Sequence, residues 1–216
     1  MFSIRNNITL FSVFAVINAS LVYFSFTQQS DSFHSEGAAL ENTQVIFLII
    51  SAVGFLFLLP FKHPYKTIHL AIALLCFSFI LRELDLEHMD VFQIIKILGN
   101  GQGRILLLAS LWASLSFYSY NAVENKVCAL KGFCFSPLFS VLLFAFLMLM
   151  AGAVLDKKII EISQPMFFEE LAEVNAYMLI SLPVIYQAGD WIYRKTSMLF
   201  SKLITVIKHS PSLEQK

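Results

Sequence analysis

The sequence predicts an all-α fold, a polytopic transmembrane helix bundle of about six helices, and three features point to it. Hydrophobic residues make up 57% of the chain and charged ones only 14%, with 22 Phe, whereas a soluble domain is usually about a quarter charged. So few polar residues cannot clothe a water-facing surface. The apolar residues gather into segments near 8–26, 45–61, 67–81, 105–120, 133–155 and 174–193, most of them close to the ~20 residues that cross a bilayer as a helix. The weak alternation of a membrane β-barrel is absent. Backbone groups in lipid must bond within their own segment, which leaves helices.

Each element follows in order. The segment 8–26 is preceded by Arg5 alone, and "NASLVYFSFT" offers a poor cleavage site. Its apolar run exceeds the ~7–15 residues of a signal peptide, so a retained helix is expected. Thr27–Gln44 is polar without a clear period and is expected as a loop before 45–61. Between 67–81 and 105–120 lies "VFQIIKIL", apolar at Val91, Phe92, Ile94, Ile95, Ile97 and Leu98 and followed by "GNGQG". That pattern predicts a short interfacial helix stopped by glycine. The segment 105–120 carries Trp112, Phe117, Tyr118 and Tyr120, an interfacial aromatic belt. The segment 133–155 ends in "AGAVLDKK", where Gly152 and Ala153 let a neighbouring helix approach beside Asp156. Pro165 marks a turn and a helix start ahead of Glu169. Pro183, in the middle of 174–193, kinks that helix or frees a carbonyl. Residues 194–216 are expected as a short cytoplasmic tail, and 1–216 as a single integral membrane domain.

Orientation follows from the bases. With the termini and even-numbered loops on one side, that side holds ten of the 15 Lys and Arg, which marks it as cytoplasmic. The expected location is a cell membrane, the bacterial inner membrane, with both termini cytoplasmic. The acids run the other way, with twelve of 15 on the extracytoplasmic side. Acids contribute little to the orientation rule, so their segregation has another cause.

The acids concentrate where helices end. "LRELDLEHMD" (Leu81–Asp90) leaves the third segment, Asp156 leaves the fifth, and "FFEELAEVNAYM" enters the sixth. Arg82, Glu83, Asp85, Asp156, Glu169 and Glu173 are therefore expected to share one polar site on the outer face. On a helix Ser78, Arg82 and Asp85 share a face, Glu83, Glu87 and Asp90 another, and Glu169 and Glu173 a third with Ala176, Tyr177 and Ile180. Acids crowded near lipid resist ionising and need Arg82, a bound cation or raised pKa values. Those in the first turn of the last helix also suit its dipole, whereas those ending the third do not. Glu87, Asp90, Glu161 and Glu170 are expected as solvated surface, as are Lys96 and Arg104, and Asp190 is expected to pair locally with Arg194.

Nucleic acid is excluded as a partner by a formal net charge of +0 and the lack of a basic tract. The partners expected are the lipid bilayer and a membrane-protein partner or a second copy of the chain. Cys76, Cys128 and Cys134 fit no disulfide framework or zinc motif. No metal-ligand set, Gly-rich phosphate loop, G-x-S-x-G elbow or H-E-x-x-H is present. No cofactor is expected, although a divalent cation at the carboxylates and His88 is compatible with the pattern. Two function classes fit. One is a binding or transport protein whose acidic extracytoplasmic vestibule takes a cation, a basic ligand or a partner. The alternative is a membrane-embedded, hydrolase-like enzyme using clustered carboxylates as general acid and base. The lack of a nucleophile or metal triad favours the first.

The order Arg82-Glu83-Leu84-Asp85, then Asp156, then Glu169-Glu170-Leu171-Ala172-Glu173 resembles a pattern in small bacterial multi-pass membrane proteins that have no assigned activity. Those carry R-E-x-D after one helix, an Asp ending a later one, and E-E before the last. The resemblance covers about the C-terminal two thirds and implies that these positions act together. The chain is also similar to the alkaline-ceramidase-like membrane hydrolases in gathering acids near one face. It lacks their late H-x-x-x-H, and no histidine lies in 174–193, which argues against a three-histidine zinc enzyme.

Overall fold

The computed structural model describes residues 12, 15–20, 23, 39–59, 66–84, 92–123, 125–157 and 165–208. Among them the chain is all-helical, without a strand. The helices are α1 (Ala39–Phe57), α2 (Lys66–Glu83), α3 (Gln93–Gly99), α4 (Gly101–Ala122), α5 (Lys126–Cys134), α6 (Pro137–Asp156) and α7 (Pro165–Lys208). Residues 15–20 of the first apolar segment are helical too.

Two of these helices are long and apolar enough to cross a bilayer, α1 over Leu40–Phe57 and α6 over Pro137–Asp156. The six-span expectation is therefore met by two described helices on length and composition. The others fall short for local reasons. Lys66, Arg82 and Glu83 sit within α2, four serines dilute α4, and Asn175, Gln187 and Asp190 dilute α7.

The helix α7 is central. It packs along α6 and along α1, α1 packs on α2, and α2 touches α4 more lightly. The shared core holds Leu48 and Phe55 of α1, Ile72 and Cys76 of α2, Ala145 of α6, and Tyr177, Ile180 and Val184 of α7. On α1 the buried face is Leu40, Gln44, Leu48, Ser51 and Phe55, spaced by three or four residues as one helical stripe requires. The buried Ser51 and Ser181 need no distant partner, because each hydroxyl donates to a carbonyl of its own helix, Phe47 and Met178 respectively. Asn18 reaches α7 through a reciprocal amide pair, with Nδ2-to-Oδ1 distances of 2.8 and 2.7 Å to and from Asn175. Each amide thereby satisfies the other in apolar surroundings.

Two glycines lie at helix contacts, and one of them requires its lack of a side chain. A Cβ on Gly54 would overlap the Val184 side chain, so α1 crosses α7 at a point where only hydrogen fits. A Cβ on Gly152 would stand 3.4 Å from the Glu169 carbonyl, in ordinary contact, and the end of α6 lies beside the start of the acidic run in α7.

Several boundaries differ from expectation. The segment taken as a loop up to Gln44 is helical from Ala39, which moves Gln44 inside α1. The segment 133–155 is divided, because Ser136 caps α6 by accepting from the Phe139 N–H at 3.2 Å and Pro137 suits the first helical position. The interfacial stretch does form a helix, α3, and Gly101, at φ 51°, makes the turn into α4. The last helix runs from Pro165 through Pro183 to Lys208, 44 residues, so it begins before 174 and the stretch 194–208 is helical. Pro183 removes one donor, leaving the Leu179 carbonyl without its usual partner, but the turns on either side carry the helix through.

Candidate functional site

The ends of four helices meet at one end of the bundle. The helix α2 ends there with Arg82 and Glu83, α6 ends with Asp156, α7 enters with Glu169, Glu170 and Glu173, and α1 starts with Glu41 and Gln44. Arg82 is the hub. Its Nε and Nη2 donate to Glu83 Oε1 at 2.8 and 2.6 Å, and Nη2 also donates to Glu173 Oε1 at 2.7 Å and to the Tyr177 hydroxyl at 3.0 Å. The Tyr177 hydroxyl in turn donates to Glu83 Oε1 at 3.3 Å. The guanidinium lies 5.6 Å from the Phe79 ring centroid, and Phe79 packs on Tyr177 with centroids 5.5 Å apart. One arginine thus ties α2 to α7 through a two-carboxylate fork. Its own side chain is 48% exposed while those of Glu83 and Glu173 are 11% and 16% exposed, so the acids, not the base, are the buried partners.

Electrostatics sort the remaining acids. Burial pushes the Glu83 carboxyl up, and Glu173 adds to this while Arg82 opposes it. Glu169 is raised by burial and then by Asp156 and Glu173, which places Asp156 in the same field. Glu170 is raised furthest, to about 7, by burial first and then by Glu41, Glu173, Glu83 and Glu169. This end of the bundle carries more carboxylate than Arg82 balances.

Of the six residues expected to share a site, Arg82, Glu83 and Glu173 are in direct contact. Glu169 and Asp156 are coupled to them through charge. Asp85 lies outside the described residues, as do Glu87, His88, Asp90 and Glu161 and the side chains of Asp190 and Arg194. Glu170 overturns its reading as solvated surface. It is half-buried, and the buried Gln44 donates to its Oε2 from Nε2 at 2.7 Å. Arg104 is corrected as well, because it donates to the Leu81 carbonyl at 3.0 Å and so closes the end of α2. The helix dipole does not explain the acids of α7. The helix begins at Pro165 with no acid in its first turn, and the dipole acts within that turn.

Gln44 is the residue that sequence reasoning missed. The signal was present in the spacing Leu40, Gln44, Leu48, which puts a long polar side chain on a mostly apolar stripe. No family model, curated protein or solved structure matches the chain.

Proposed function

We propose that the chain is a multi-pass protein of the cell membrane, with both termini cytoplasmic, that binds or transports a basic ligand through an acidic extracytoplasmic mouth. Membrane residence is supported by the two apolar helices and by the outward face of α6, where Phe144, Phe146, Leu147 and Met150 are exposed. A surface of that kind suits lipid or another membrane protein. Orientation is supported by the excess of Lys and Arg in the loops assigned to the cytoplasm. The helix α7, at about 66 Å for 44 residues, is about twice the thickness of the hydrocarbon core. In this reading part of it stands in water, with its acidic start at the outer surface.

The observation that carries the functional reading is the charge imbalance around Arg82. Two carboxylates already hold the one guanidinium that α2 supplies, while Glu169, with Asp156 acting on it, stands in the same field. The arrangement supports recognition of ammonium or guanidinium groups in place of a protein cation. The acids stand on three helices, α2, α6 and α7, a spread that suits an extended organic cation.

Titrating the detergent-solubilised protein with spermidine and with methylguanidinium tests this. Saturable binding is expected, weakening as salt rises. It should fall by about tenfold in the Asp156→Asn, Glu169→Gln double variant, about 1.4 kcal/mol of binding free energy. Binding that does not saturate, or that ignores the double substitution, refutes the reading.

A further inference from the structure

Gln44 is fully buried. Its Nε2 donates to Glu170 Oε2 at 2.7 Å and to the Glu170 backbone carbonyl at 3.5 Å. Its Oε1, also buried, has no hydrogen-bond partner among the protein atoms. A buried amide oxygen without a donor is costly, and native structures rarely leave one. An ionised Glu170 cannot help, since a carboxylate only accepts. A protonated Glu170 can. Its Oε2 accepts from the amide N–H while its other oxygen, now O–H, donates to the amide oxygen. Acid and amide then close a ring of two hydrogen bonds in which every polar atom is used.

We propose that Glu170 and Gln44 form a proton-binding site, in which the carboxyl group of α7 holds an exchangeable proton against the amide oxygen of α1. Two independent features point to it. The first is the orphaned amide oxygen. The second is the charge around the pair. Glu41 faces it from α1, Glu83 from α2, and Glu169 and Glu173 from its own helix. On α6, Asp156 acts on Glu169, and Arg82 is committed to Glu83 and Glu173. The carboxylates that act on Glu170 come from α1, α2 and its own helix, and together with burial they favour the neutral acid.

The site also gives the acidic mouth a second ligand. A cation entering the mouth weakens the field that holds the proton, so binding there releases it, and protonation weakens cation binding by the same factor. This linkage rests on the mouth reading above, whereas the proton site stands without it.

Infrared difference spectroscopy across pH decides the matter. The wild-type protein is expected to show a protonated-carboxyl band that titrates away near pH 7, and Glu170→Gln should abolish that band. The substituted amide keeps the shape of the acid and supplies a permanent N–H to Gln44 Oε1, so this variant should fold. Gln44→Leu should move the band to higher frequency, as expected of an acid that has lost its hydrogen-bonded partner. Stability gives a second readout that does not depend on the spectrum. Because the folded carboxyl is raised from 4.5 to about 7, the folded state keeps a proton over that window that the unfolded state has lost. Stability therefore declines as pH rises through the window and is level above it, and Glu170→Gln should make the decline shallower. Absence of a titrating band, a band that survives Glu170→Gln, a band unmoved by Gln44→Leu, or identical pH slopes overturns the proposal. A titrating Glu170 band in a protein that fails to bind spermidine leaves the proton site standing and removes the mouth reading.

Discussion

Arg82→Ala is expected to lower the stability of the detergent-solubilised protein by about 2–3 kcal/mol. Hydrogen bonds to charged groups contribute about 1.5–3 kcal/mol, and breaking a fully buried pair costs about 3–5 kcal/mol because a charge is stranded. The lower figure applies because the guanidinium is 48% exposed and solvent screens part of its attraction. The stranded acids are the nearly buried Glu83 and Glu173, so replacing either by Gln in the Arg82→Ala background should recover part of the loss. Arg82→Lys should recover little, since an ammonium cannot present Nε and Nη2 to two carboxylates and the Tyr177 hydroxyl at once. The control is Lys131→Ala, an exposed position on α5, where surface substitutions usually stay within about 0.5 kcal/mol. Arg104 is no control, because it closes the end of α2. Equal melting temperatures for Arg82→Ala and Lys131→Ala would reduce the cluster to a wet helix end.

Gly54→Ala is expected to cost about 1–3 kcal/mol, the usual range for an added group in a packed interface. The new methyl group overlaps Val184 on α7. Both helices are held in the shared core, where Phe55 and Tyr177 are fully buried. The companion change is Val184→Ala. By itself it leaves a small cavity and a modest loss. Combined with Gly54→Ala it makes room for the methyl group, so the double variant should be more stable than the sum of the singles predicts. Thermal unfolding of the four proteins measures that coupling, and strict additivity would place the α1–α7 crossing elsewhere. Because Gln44 and Glu170 sit along the same two helices, Gly54→Ala should also disturb the Glu170 titration, whereas Lys131→Ala should not.

The class of the fold was legible because it depends on local quantities. Apolar runs of near-membrane length force helices through the need to satisfy backbone groups inside lipid, and the described chain is all-helical. The gathering of charge at the ends of the segments closing at Leu81 and Asp156 was legible too, as was the helix start at Pro165. These are statements about composition along the chain.

What the tertiary structure alone decided is the pairing. On the sequence Arg82 shares a helical face with Asp85, which lies outside the described residues; that its guanidinium holds Glu83 and the distant Glu173 is decided by the fold. Glu170 was indistinguishable from a solvated acid until α1 placed Gln44 against it. Gly54 was one small residue in an apolar run until Val184 filled the space beside it. Each of these depends on how far a helix is rotated about its axis and slid along its neighbour. Helices that are apolar all round carry little directional pattern to fix that rotation. It is set by the few points where side chains interlock or polar groups find partners across helices, and those partners come from segments far apart in the chain.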